Sequence, residues 1–130
     1  MLDGGVKTWQ DAGYPVELLA PETAQPGNFT ASISHPSLRV DTPDILKLKN
    51  SSNAQLWDNR DRTEFCGEEL KKGAVRAGRI PWGNHSDWVQ FKKKDNQAEW
   101  LTAAEVKNVL EKQGYDVTKE QYFFLSLIHI

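Results

Sequence analysis

Asp58 and Arg60 stand two residues apart in the polar run Asp58-Asn59-Arg60-Asp61-Arg62, directly after the apolar stretch Ala54-Gln55-Leu56-Trp57. A strand ending in such a cluster puts charge where open α/β sheets hold ligands, outside the carboxyl ends of their strands. Arg60 could there hold or neutralise an anionic substrate, with Asp58 bracing the loop. The competing reading is a surface ion-pair cluster of Asp58, Arg60, Asp61 and Arg62, worth little per pair, and Arg62 fits it better. Arg76 and Arg79 flank Gly78 ahead of Ile80-Pro81 and read on their own as a solvated basic loop continuing Lys71-Lys72.

Cys66 is the only thiol, so a disulfide within the chain and a cysteine-based zinc cluster are both excluded. Glu64, Glu68 and Glu69 surround it, and acidic neighbours oppose the thiolate that nucleophilic catalysis needs. A buried or half-buried structural thiol is therefore expected. His35, His85 and His129 have no metal-ligand spacing, and His85 is expected in a turn. Trp57, Trp82, Trp88 and Trp100 are expected to pack the core and its rim.

These side chains need a scaffold, and 130 residues suffice for one compact core. Sixteen Lys and Arg against 18 Asp and Glu leave a net charge of -2, which favours neither nucleic acid nor an anionic membrane as partner. No apolar run approaches the roughly 20 residues of a membrane span, and no secretory signal opens the chain. A single unpaired thiol fits a reducing, cytoplasmic setting.

Val6 to Ala12 has helical spacing, with Gly13 as its stop, after what reads as a strand end and a glycine turn. Residues 20 to 37 have linker composition, with an extended piece expected at Phe29 to Ile33. A helix capped by Asp41 or Thr42 follows, with Pro43 in its first turn. Next come a strand at 54–57, a short helix holding Glu64, Phe65 and Cys66, a charged loop from Gly67 to Gly78, and an extended piece at Arg79-Ile80-Pro81. Thr102 and Glu105 form a capping-box pair opening a helix to Gln113, closed by Gly114. The aromatic run Gln121-Tyr122-Phe123-Phe124 reads as a central strand. Strands and helices alternating at this pitch imply a mostly parallel sheet.

Three segments in order resemble the tandem-domain rhodanese family of thiosulfate and 3-mercaptopyruvate sulfurtransferases. LDGGVKTWQDAGYPV (residues 2–16) is similar to the signature that closes a rhodanese domain. LWDNRDRTEFCGE (56–68) is similar to the family's D-x-R-x-x-x-E-F-x-G element, and RAGRIPWGNHSDW (76–88) to its G-H-I-P-G-A stretch. Arg79 stands where the family often has His, and Trp82 where it often has Gly, which leaves substrate choice open.

The resemblance implies an α/β fold: a rhodanese-like, mostly parallel sheet with flanking helices, incomplete, comprising the end of one domain and the first half of a second. Residues 1–20 would be the tail of an N-terminal rhodanese domain, 21–37 the linker, and 38–124 the N-terminal half of a second domain. It implies transfer of sulfane sulfur from a small anionic donor to a thiol or cyanide through a cysteine persulfide, with no cofactor. Asp58, Arg60, Arg76 and Arg79 become candidate substrate-binding residues. The family's nucleophile follows a strand like 119–124, in a C-x-x-G-x-R loop; position 125 is Leu125, so a catalytic cysteine is absent there and the chain is expected to be inactive. Residues 125–130 resemble translated sequencing-adapter DNA and are expected to be a scar. Two alternatives stand beside this: a non-catalytic rhodanese-like interaction module, and a phosphatase with a longer loop on the same fold, which residues 2–16 disfavour.

Overall fold

The computed structural model describes residues 3–18, 27–32, 34–96 and 98–125. In chain order it contains α1 (Gly5–Asp11), α2 (Thr42–Lys47), β1 (Ala54–Asp58), α3 (Arg62–Cys66), β2 (Asn84–His85), α4 (Ala103–Lys112) and β3 (Glu120–Phe124). Short 3-10 turns lie at Pro36–Leu38, Leu48–Asn50 and Trp88–Phe91. The three strands are parallel in the order β2-β1-β3, so the described fold is the α/β arrangement expected from the alternation.

β1 takes the centre because it carries the apolar pair Leu56 and Trp57, the buried hydrophobic residues of the described chain. Burying an indole requires a partner for its N–H. Trp57 Nε1 donates to Gln121 Oε1 on β3 at 2.7 Å. Gln121 Nε2 in turn donates to Gln55 Oε1 and to the carbonyls of Asp116 and Lys119. These bonds pin the α4–β3 turn against the amino end of the sheet and fix the register of β1 and β3.

The helix signals read from the sequence are realised. Asp41 caps α2, with Asp44 returning the bond and Pro43 in the first turn. Thr102 and Glu105 form the capping box of α4, and Gly114 follows it at φ +84°.

The piece Arg79-Ile80-Pro81 joins no ladder, since Pro81 has no N–H to offer, and Gly83 N–H closes a turn onto the Ile80 carbonyl at 3.0 Å. Other expectations are corrected. His85, expected in a turn, lies on the sheet, in the short strand Asn84–His85. Cys66 is exposed, because Phe65 takes the inward position against His85 and the next helical residue points away. Residues 27–32 form no regular element, and Ile33 lies outside the described residues. So do Met1 and Leu2, most of the linker's first half, and residues 126–130 of the suspected scar.

Candidate functional site

The register aligns the carboxyl ends of all three strands. Asp58 on β1 is paired with His85 on β2 and with Phe124 on β3. Asn59, the first residue after β1, ties this crest together. Its N–H donates to the Phe124 carbonyl at 2.8 Å, its side-chain Nδ2 donates to the Ser86 carbonyl at 2.7 Å, and its own carbonyl accepts from Trp88 N–H. The sequence motif leaves this middle position open, so only its amide side chain, a donor and acceptor beside a strand end, hinted at the role.

Asp58 is fully buried and Arg60 is 4% exposed. Arg60 Nε donates to Asp58 Oδ1 at 2.9 Å and Nη2 to Asp58 Oδ2 at 2.6 Å, a two-pronged contact that suits guanidinium and carboxylate geometry. The Arg60 N–H adds a third bond to Asp58 Oδ1. The hydrogen bonds that Arg60 donates to the Asp58 carboxylate raise the Arg60 pKa above its usual value, against the opposing effect of burial. The surface ion-pair reading is thereby corrected for this pair: both residues are buried, Asp58 at the end of β1 and Arg60 two residues beyond it, where its guanidinium lies 5.7 Å from the Phe124 ring centre.

Arg60 also organises the loop. Its Nη2 donates to the Gly78 carbonyl at 2.8 Å, and Nη1 lies 3.6 Å from Glu64 Oε1. Gly67 ends α3 in the left-handed region at φ +81°, and a Cβ there would come 3.3 Å from Gly78 Cα. Gly67 therefore serves both the helix cap and the close approach of the two loop ends. Asp61 caps the start of α3, accepting from Glu64 N–H at 2.8 Å and Thr63 Oγ1 at 2.6 Å. Those bonds hold its carboxyl down at about 2. Burial and the Asp61 charge push the Glu64 carboxyl the other way, upward.

Arg79 is exposed, with its guanidinium 4.6 Å over the Phe65 ring. Phe65 stacks on His85 at 4.5 Å, and His85 Nε2 bonds to the Arg60 carbonyl at 3.0 Å. The structure thus brings Asp58, Arg60 and Arg79 to one side of the crest, whereas Arg76 stands exposed in the loop before Gly78. Behind the crest, Ser86, Gln90 and Gln113 close a ring of hydrogen bonds that fastens α4 to the turn after β2. An open groove of about 820 Å³ flanks Phe124, lined by Val40, Pro43, Leu46, Ile80 and Trp82.

No protein-family model matches the chain. It is 28% identical to the sulfur carrier protein TtuD of Thermus thermophilus, over 93% of this chain and 44% of that protein. It is 33% identical to the thiosulfate sulfurtransferase YnjE of Escherichia coli, over 65% of this chain and 21% of that one. A solved structure of the anaerobic ergothioneine biosynthesis enzyme from Chlorobium limicola shares the fold, with a TM-score of 0.79 at 23% identity, over 95% of this chain and 31% of that enzyme. The chain spans less than half the length of each of these proteins. By sequence, the chain is a relative of the rhodanese-type sulfurtransferases.

Proposed function

We propose that the chain belongs to a sulfurtransferase that moves sulfane sulfur from thiosulfate or 3-mercaptopyruvate to a thiol or cyanide, and that it supplies the scaffold of the site without the nucleophile. The observation carrying this is the crest itself: Asn59 N–H holds the Phe124 carbonyl, so the residue after β3 leaves the sheet beside the Asp58–Arg60 pair. In the proposed reaction a cysteine thiolate at that place attacks the outer sulfur of thiosulfate. The S–S bond breaks, sulfite leaves with the electron pair, and the enzyme holds a persulfide. An acceptor thiolate or cyanide then takes the outer sulfur and regenerates the thiolate.

Anionic sulfur and an anionic donor both need positive partners at neutral pH. Arg60 has most of its donors committed to Asp58 and Gly78, so we assign the buried pair the task of bracing the loop. Arg79 and Arg76 supply exposed cations for the donor's oxygens. Position 125 in this sequence is an exposed leucine, which cannot form a persulfide. Cys66 stands at the end of α3 and not at the crest's exit from β3.

The same leucine favours a second reading, a rhodanese-like module that binds a partner and transfers nothing. Source DNA read through the codons after Phe124 separates the two. A Cys followed by a loop with Gly and Arg supports sulfur transfer. A loop without Cys, or a stop after Ile130, overturns it in favour of the binding module.

A further inference from the structure

Arg79 is held at both ends. Its backbone follows Gly78, whose carbonyl accepts from Arg60 Nη2 at 2.8 Å, so the buried guanidinium fixes where the Arg79 main chain begins. Its side chain lies with Cζ 4.6 Å from the centre of the Phe65 ring, and Nη1 reaches the Phe65 carbonyl at 3.5 Å. Phe65 is half-buried and stacks in turn on His85, with ring centres 4.5 Å apart and planes 30° from parallel. The sheet register sets His85 beside Asp58. A carbonyl can only accept, so the 3.0 Å bond between His85 Nε2 and the Arg60 carbonyl places the ring's proton on Nε2. The contacts close on themselves: Arg60 to Gly78, Arg79 to Phe65, Phe65 to His85, and His85 back to Arg60.

This arrangement keeps a cation in place without consuming its donors. A guanidinium over an aromatic face is attracted by the ring quadrupole, while the N–H groups at its edge can still bond an anion. Arg79 is exposed, and among the described residues it enters no ion pair. Arg60 is the opposite case, buried with Nε and Nη2 bonded to Asp58. Arg76 is exposed as well, but among the described residues no ring lies under it. An arginine that must be ordered to clasp a ligand weakens binding, and one already held over a ring loses less freedom.

We propose that Phe65 and His85 are positioning residues, a stacked platform that holds the Arg79 guanidinium ready for an oxyanion group of the sulfur donor. The assignment rests on the reading of the site as one that takes a small anionic donor. It gives the three residues distinct parts. Arg79 touches the anion, Phe65 supplies the face beneath it, and His85 backs that ring and ties it to Arg60.

Titration of thiosulfate into the 130-residue chain tests it, followed by the backbone amide NMR signals of Gly78, Arg79 and Ile80, with sodium chloride of equal ionic strength as control. A saturable shift is expected in the wild type with thiosulfate and not with chloride. Phe65→Leu, which keeps an apolar side chain but no ring face, should raise the Kd about two- to fivefold, the worth of a cation–π contact at an exposed site. Phe65→Tyr keeps the face and should bind as the wild type does. His85→Leu removes the backing ring and should weaken binding in the same direction. A double-mutant cycle separates positioning from support of the fold: in an Arg79→Ala background, Phe65→Leu should have no further effect. Wild-type binding in Phe65→Leu or His85→Leu overturns the platform, as does an effect of Phe65→Leu that persists in full without Arg79. The absence of a saturable shift in the wild type overturns it outright. Binding that survives Arg79→Ala unchanged is a separate result, because it also removes Arg79 from the donor site of the proposed function.

Discussion

Asn59 N–H and the Phe124 carbonyl are 2.8 Å apart, and this bond extends the β1–β3 pairing one step past the end of the sheet. It fixes where residue 125 emerges. Asn59 also holds Ser86 through its side chain, so the exit of β3 and the turn after β2 share one support. Replacing Asn59 with alanine removes only the Ser86 clamp. That change should cost about 1 kcal/mol, read as a lower urea midpoint with an unchanged slope.

The Asp58–Arg60 pair has higher stakes. Asp58→Ala leaves a guanidinium buried without its carboxylate, and such losses cost about 3–5 kcal/mol. Replacing both residues together, as Asp58→Ala with Arg60→Met, should recover much of that, because no unpaired charge remains. Urea unfolding of the two variants checks this. Equal destabilisation in both would show that packing, and not charge, dominates at this position.

Acid should loosen α3 through Asp61. Its carboxyl is held at about 2 when folded, below the usual carboxylate range. A lowered folded value means stability present above the unfolded pKa and lost as pH falls toward 2. Glu64 has the opposite sign: its raised value means the folded state takes up a proton more readily, which offsets part of the loss. Asp61→Asn keeps a capping oxygen while removing the titration, so its stability should vary less between about pH 4 and 2 than that of the wild type. Circular dichroism across that window is the measurement.

Gly67→Ala should destabilise by about 1–2 kcal/mol. The left-handed backbone strains any side chain, and the new methyl meets the Gly78 backbone at 3.3 Å. A thermal scan reads the loss, and the loop ends at Gly67 and Gly78 should become protease-sensitive with it.

The described sheet has β3 at its edge, and Phe123 is 55% exposed beside the apolar groove. An unpaired edge next to apolar surface invites pairing with a second chain. The 130-residue chain is expected to self-associate, and Phe123→Lys to reduce this in sedimentation experiments. A concentration-independent monomer with a sharp cooperative transition would contradict it.

The helices were legible because their signals are local: Asp41 with Pro43, and Thr102 with Glu105, declare their caps within four residues. β1 was legible from Leu56 and Trp57 beside a polar cluster. β2 was not, since two residues ending in His85 carry no period, and only pairing with Trp57 and Asp58 makes them a strand. The site divided in the same way. Asp58 and Arg60 stand out by type and spacing, but burial decides whether they are a surface pair or a brace, and the groups against Arg60 include Gly78 and Phe124, 18 and 64 residues away. Asn59 gives no such signal, because its work is done by contacts to Phe124 and Ser86 that no local pattern encodes.

Thiocyanate formation from thiosulfate and cyanide tests the central claim most directly, run on the 130-residue chain and its Cys66→Ser variant. With leucine at 125 and Cys66 exposed at the end of α3, the expected result is no turnover above the protein-free blank in either. Turnover by the chain that disappears in Cys66→Ser would contradict the account, because it would make Cys66 the nucleophile and move the site away from the end of β3.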